Sequence, residues 1–203
     1  MDVLGVYSGT QSWERPFIEG GHNVETLDIL PEFHCTYTMD ALNFIPTKDY
    51  KVVLISPPCT YFSQARLAWK NTPKATTNDQ IQLSIKWFQK AIDIIQAVHA
   101  DYFLIENPSH KNGARLYFPH FDNPTKIGPE IILPEKIHYC MYGFPHMKPT
   151  DLWTNIPLDF RKCNYKRSEH KSFQVTHGSK SRSIIPTELT NHVYNVVMAL
   201  VNE

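Results

Sequence analysis

The sequence predicts an α/β domain built on a largely parallel sheet. Three observations carry that expectation. Val52-Val53-Leu54-Ile55 and Tyr102-Phe103-Leu104-Ile105 are apolar at every position, as expected of strands buried on both faces. Between them, a helical pattern over 78–98 places Ile81, Ile85, Phe88, Ile92 and Ile95 on one face. The first half of the chain alternates strand and helix signals, which is the rhythm of crossover connections.

The elements follow in order. Residues 3–7 form a short apolar run, and Ser8-Gly9-Thr10 a turn. Residues 13–19 read as a helix and 22–27 as a second strand that ends in Asp28. The 52–55 strand, the long helix and the 102–105 strand come next, the last expected to stop at Asn107-Pro108. Beyond residue 113 prolines become frequent. Residues 131–139 and 151–153 read as strands, and 187–201 as a closing helix behind Pro186. No clean linker interrupts the chain, so 1–203 reads as a single domain, with 156–182 its least regular part.

Composition narrows the class. Hydrophobic residues make up 42% and charged residues 20%, which excludes an intrinsically disordered chain. No apolar run reaches the length of a membrane span, and the first residues do not read as a signal peptide. Cys35, Cys59, Cys140 and Cys163 include no CxxC pair, which suits a reducing cytoplasm. Twenty basic and twenty acidic residues cancel, but unevenly. Residues 1–60 carry 3 basic and 8 acidic groups, while seven basic residues lie in 161–182 beside one acid, Glu169. That stretch reads as a phosphate-contacting strip.

Three features sit where an α/β sheet places its ligands, beyond the carboxyl ends of its strands. Tyr7-Ser8-Gly9-Thr10 follows the first strand, and Asp28 ends the second. A glycine there admits a ligand close to the backbone, and an acid accepts hydrogen bonds from ribose hydroxyls. Ser56-Pro57-Pro58-Cys59 follows the 52–55 strand, and the prolines stiffen the loop that aims the cysteine, a strong nucleophile as its thiolate. Glu106-Asn107-Pro108 follows the 102–105 strand, placing a carboxyl where burial makes its charge costly.

Taken in this order, the elements resemble the cytosine-5 methyltransferase family. Tyr7 to Ser12 is similar to the family's cofactor loop, Asp28 to its ribose-binding acid, Pro57 to Ser63 to its Pro-Cys loop, and Glu106-Asn107-Pro108 to its Glu-Asn-Val element. Tyr142-Gly143-Phe144-Pro145-His146-Met147-Lys148 resembles a later Tyr-Gly-x-Pro turn, and 182–186 the last element. The whole looks closest to the short type found in phage and mobile elements. There are departures: Gln11 replaces the second loop glycine, Thr60 the glutamine after the nucleophile, Pro108 the valine, and Lys148 and Thr150 the basic pair.

The resemblance implies a Rossmann-like, S-adenosylmethionine-dependent fold. It implies Cys59, Glu106 and Lys148 as catalytic groups. Tyr7, Ser8, Gly9, Thr10, Asp28, Asp40, Pro57 and Ser183 would bind the cofactor. Ser56, Asn107, Arg66, Arg161, Lys162, Lys166 and Arg167 would bind substrate. The substrate implied is cytosine in DNA, with a free cytosine nucleotide, RNA, or binding without turnover as alternatives. Only 26 residues separate Asn155 from Arg182, where relatives usually insert a target-recognition domain. Recognition is therefore expected to be low, unnecessary, or supplied by a protein partner or a second copy. The expected setting is a bacterial or phage-infected cytoplasm. The polar, basic stretch 64–78 is a candidate loop closing over substrate. His138, Cys140, Cys163 and His170 lack the closely paired ligands of structural zinc sites, so no metal is expected.

Overall fold

The computed structural model describes residues 1–62, 76–166, 169–170 and 184–202. The first four strands are β1 (Asp2–Val6), β2 (Asn23–Asp28), β3 (Tyr37–Thr38) and β4 (Val52–Ile55). β5 (Tyr102–Pro108) follows, then the short β6 (Phe121–Asp122) and β7 (Ile131–Ile132), and finally β8 (Glu135–His138) and β9 (Pro149–Thr154). Seven of them form one sheet in the order β3-β2-β1-β4-β5-β9-β8, while β6 and β7 pair separately. The strands from β3 to β5 run parallel, and β9 lies antiparallel to both of its neighbours. This is the mostly parallel α/β sheet that the alternating pattern predicts, in the Rossmann-like form that the resemblance implies.

Helices α1 (Arg15–Glu19), α2 (Asn78–Ala97), α3 (Ala114–Tyr117) and α4 (Thr187–Val201) complete the described fold. α2 begins with a reciprocal cap. The Thr77 hydroxyl accepts the Gln80 N–H, and the Gln80 side chain accepts the Thr77 N–H. The period-two alternation of the strands divides the core. Leu4, Val6, Val53, Ile55, Phe103 and Ile105 face Phe88, Ala91 and Ile95 of α2. Val3, Val52, Leu54, Leu104 and Leu152 face the other way, against Phe17 of α1 and Leu189, Val193 and Val197 of α4. Among the described residues, no helix is long and apolar enough to cross a membrane.

Most boundaries shift by a residue or two, and two departures from expectation change the pairing of strands. β5 does not stop at Asn107 but runs on through Pro108, because Glu106, Asn107 and Pro108 pair with Leu152, Asp151 and Thr150 of β9. A proline costs a ladder only its own N–H, and Pro108 is the last residue of the strand. The continuous strand expected over 131–139 is broken at Pro134. Ile131 and Ile132 pair with β6, whereas Glu135 to His138 join the main sheet.

Candidate active site

β1, β2, β4 and β5 end at one edge of the sheet, and the strand order reverses between β1 and β4. Ligands of open α/β sheets bind in the crevice at such a reversal. Tyr7 to Thr10, Asp28, Ser56 to Cys59, and Glu106 with Asn107 all lie along this edge. Lys148 arrives from the opposite direction, immediately before antiparallel β9.

On the β1–β2 side, Tyr7, Gly9 and Gln11 all have positive φ, at 55, 48 and 57°. Gln11 thus takes a left-handed backbone that a glycine adopts without strain. Two bonds hold it there: its N–H donates to Ser8 O at 2.7 Å, and its Nε2 to Phe33 O at 3.0 Å. Asp28 organises the same turn. Its Oδ2 accepts the Gly9 N–H and its Oδ1 the Leu30 N–H, both at 2.9 Å. A Cβ on Gly9 would stand 4.0 Å from Asp28 Oδ2 and 4.0 Å from Phe33 Cζ. The space over Gly9 is therefore open and walled by a carboxylate and an aromatic ring. No sequence signal singled out Phe33, because a lone aromatic in a loop has no periodicity.

The remaining cofactor candidates have local roles as well. Asp40 caps the 3-10 turn Ala41–Asn43, accepting the Leu42 N–H at 2.9 Å. The hydroxyls of Thr10 and Ser12 share a hydrogen bond of 2.8 Å. Tyr7 donates its hydroxyl to Trp87 O at 3.4 Å, which ties the loop to α2. Ser183 lies outside the described residues.

On the β4–β5 side, Asn107 is 1% exposed and donates from Nδ2 to Pro57 O at 3.0 Å. That bond fastens the Pro-Cys loop to the end of β5. Ser56 continues the ladder, its N–H bonding to Val6 O, and the Phe62 N–H closes a turn on Cys59 O at 3.0 Å. Glu106 is 7% exposed, and burial pushes its carboxyl above the ordinary carboxylate range. The Lys148 charge and the Tyr139 hydroxyl pull it back down, while Asp151 opposes them. Tyr139 donates to Glu106 Oε1 at 3.1 Å, and Lys148 Nζ lies 4.4 Å above the Tyr139 ring. Burial, then Glu106, hold the Tyr139 phenol well above its usual range, with Cys59 also within electrostatic reach. Cys59, Glu106, Tyr139 and Lys148 thus occupy one neighbourhood. Tyr139 was hidden in the sequence, where it read as the end of a strand.

The Asp151 carboxylate, fully buried, is clamped by Arg115, whose Nε lies 3.0 Å from Oδ2 and whose second nitrogen reaches Oδ1. Of the basic strip, Arg161 is engaged within the fold. Its Nη1 bonds to Glu188 Oε2 at 2.9 Å and to Met141 O at 3.0 Å. Lys162 and Lys166 are exposed. Arg66 and Arg167 lie outside the described residues, as does most of the candidate closing loop. Cys140, Cys163 and His170, distant in sequence, come together beside the turn that carries Tyr139. Their sequence spacing offered no closely paired ligands, yet the fold sets their ligand atoms within 4.8 Å of one another.

No family model matches the chain. It is 28% identical over 169 residues to a probable DNA (cytosine-5)-methyltransferase of Frog virus 3 (isolate Goorha), covering 77% of this chain and 71% of that one. Among solved structures, a variant of Spodoptera frugiperda DNMT2 aligns over 81% of this chain and 53% of its own, with 17% identity and a TM-score of 0.44. The Entamoeba histolytica methyltransferase EhMeth aligns over 82% and 57%, with 13% identity and a TM-score of 0.46. The chain spans little more than half the length of these two structures. The ordered strand-end elements and the match over most of the chain thus make the chain similar to a probable viral DNA (cytosine-5)-methyltransferase.

Proposed function

We propose that the protein transfers a methyl group to carbon 5 of cytosine in DNA. The meeting of Cys59, Glu106, Tyr139 and Lys148 at the strand ends, beside the Gly9–Asp28 turn, carries this reading. S-adenosylmethionine, when bound, supplies an electrophilic methyl group. The chain fits it: the open backbone at Gly9 admits a ligand, and Asp28 keeps carboxylate lone pairs beyond its two backbone bonds for ribose hydroxyls. Tyr7, Ser8, Thr10, Asp40, Pro57 and Ser183 complete the proposed cofactor set.

Carbon 5 of cytosine is a poor nucleophile. Addition of the Cys59 thiolate to ring carbon 6 breaks the aromatic system and moves electron density to carbon 5 and nitrogen 3. Glu106, held towards its protonated form by burial, donates a proton to nitrogen 3 as that charge develops. Lys148 and Tyr139 keep the carboxyl oriented and able to lose the proton again. Once carbon 5 has gained the methyl group, which would leave the cofactor as a neutral thioether, the carbon-5 proton leaves to a base, the Cys59 thiolate is expelled, and nitrogen 3 returns its proton to Glu106, restoring the neutral aromatic ring. A base in a duplex must first be turned out of the stack, and exposed Lys162 and Lys166 are suited to the phosphates around it. A cytoplasmic, virus- or phage-borne role, with a partner or second copy supplying recognition, fits the viral relative and the described cysteines, none of which is in a disulfide.

The test is transfer of labelled methyl groups to duplex DNA, RNA and deoxycytidine nucleotides, with the unaltered protein and a Cys59→Ser variant. Labelled 5-methylcytosine in DNA that disappears in the variant is the expected result. Undiminished transfer by the variant would reject the mechanism. Preferential labelling of RNA or of the nucleotide would reject DNA as the substrate.

A further inference from the structure

Cys140, Cys163 and His170 lie outside the groups assigned to methyl transfer, and their geometry carries an inference of its own. Their ligand atoms form a compact triangle. Cys140 Sγ and Cys163 Sγ are 3.5 Å apart, and His170 Nε2 lies 3.3 Å from the first and 3.4 Å from the second. A tetrahedral zinc ion, with bonds of about 2.3 Å to sulfur and about 2.0 Å to nitrogen, holds its ligand atoms about 3.5–3.8 Å apart. The observed spacings fall within a few tenths of an ångström of that figure.

The second observation concerns the other ring nitrogen. His170 Nδ1 lies 3.0 Å from the backbone oxygen of Lys166. A carbonyl can only accept, so Nδ1 carries the proton and Nε2 presents its lone pair to the two sulfurs. Metal-binding histidines are held in this way, by a hydrogen bond from the far nitrogen to a carbonyl or carboxylate. Two cysteines and one histidine are also a ligand set that suits zinc.

We propose that Cys140, Cys163 and His170 bind one zinc ion. Binding releases the two thiol protons, and the charges of two thiolates and one divalent cation cancel. The fourth position falls to water, since the mutually close ligand atoms are those of Cys140, Cys163 and His170. The role follows from the chain positions. Cys140 lies in the 3-10 turn Tyr139–Tyr142, next to the tyrosine that holds Glu106. Cys163 and His170 belong to the irregular basic stretch. The ion therefore staples that stretch to the wall of the active site, and it acts on placement rather than on chemistry.

The experiment uses the full chain, purified without a histidine tag or chelator. Elemental analysis is expected to give about one zinc per chain. Cobalt(II) exchanged for zinc is expected to show a thiolate-to-cobalt charge-transfer band and the intense visible bands of a tetrahedral site. Cys163→Ser and His170→Ala should each lose most of the metal, whereas Cys35→Ser should keep it. A metal-free protein that takes up neither zinc nor cobalt would overturn the assignment. So would a Cys140–Cys163 disulfide in the purified protein, or full metal retention in both ligand variants. The cobalt spectrum of the unaltered chain decides the matter even if a variant fails to fold. It is also independent of whether the protein methylates anything.

Discussion

Tyr139 donates its hydroxyl to Oε1 of Glu106 at 3.1 Å, joining the turn after β8 to the end of β5. A donor to a carboxylate favours the charged form, so this bond works against the burial that raises the Glu106 carboxyl. In Tyr139→Phe the carboxyl should rise further. Methyl transfer should fall about tenfold, as for the loss of one hydrogen bond to a charged group. The limb of the pH–rate profile that reports Glu106 should move to higher pH. A profile shifted to lower pH, or not at all, would remove Tyr139 from the site.

Lys148 lowers the same carboxyl through its charge. Lys148→Met should therefore also move that limb upward, whereas Lys148→Arg should leave it near its place. Steady-state rates across a pH series for the three proteins provide the comparison.

Glu14 is 2% exposed, its carboxyl tucked beneath Gly5 of β1, and burial pushes it up to about 7. An unfolded chain loses that proton near pH 4.5, and the folded chain holds it until about 7. Between those values the native state binds more protons, so stability declines as pH rises and then levels off. The cost above pH 7 is about 3 kcal/mol. Glu14→Gln should abolish that part of the slope. Urea unfolding of both proteins at pH 5 and pH 8 gives the difference, and parallel slopes would refute it.

A side chain at Gly5 would collide with the Glu14 carboxyl and the Ser8 hydroxyl. Gly5→Ala should cost about 1–3 kcal/mol, as overpacking does. The cost should shrink in the double variant with Glu14→Ala, where the space is vacated. Equal costs in the two backgrounds would show that the contact does not matter.

Arg115→Ala would leave Asp151 buried without its partner. Its side chain is 1% exposed against 37% for Arg115. The loss should be about 3 kcal/mol, read from denaturant midpoints. Asp151→Asn, which removes the charge itself, should cost less.

Local pattern made much of this legible. The 52–55 strand and the 187–201 helix begin and end where their apolar patterns do. Asp28 ends its strand as expected. What periodicity could not report is pairing between distant segments. β9 prolongs β5 past a proline that reads as a stop signal, and Pro134 diverts half of an expected strand to another partner. Cys59 and Glu106 were readable because each follows a continuous apolar run. Tyr139 and Phe33 were not, since their importance lies in what the fold sets opposite them. The two cysteines and the histidine could be grouped from the sequence, but their spacing argued against a shared site, and it is the fold that brings them together.

The antiparallel seam between β5 and β9 has a further consequence. In most of the crevice, strand-end groups depend on loops, and loops drift. Glu106 stands opposite Leu152 by sheet register, four residues beyond Lys148 on the same strand run. Their separation is thus gauged by backbone hydrogen bonds, in the manner of a caliper whose jaws share one spine. Loop substitutions such as those at Gln11 and Thr60 can accumulate without altering that gap. A one-residue slip would instead send every side chain of β9 to the opposite face. Insertions within Pro149–Thr154 should therefore be far less tolerated than insertions in the surrounding loops.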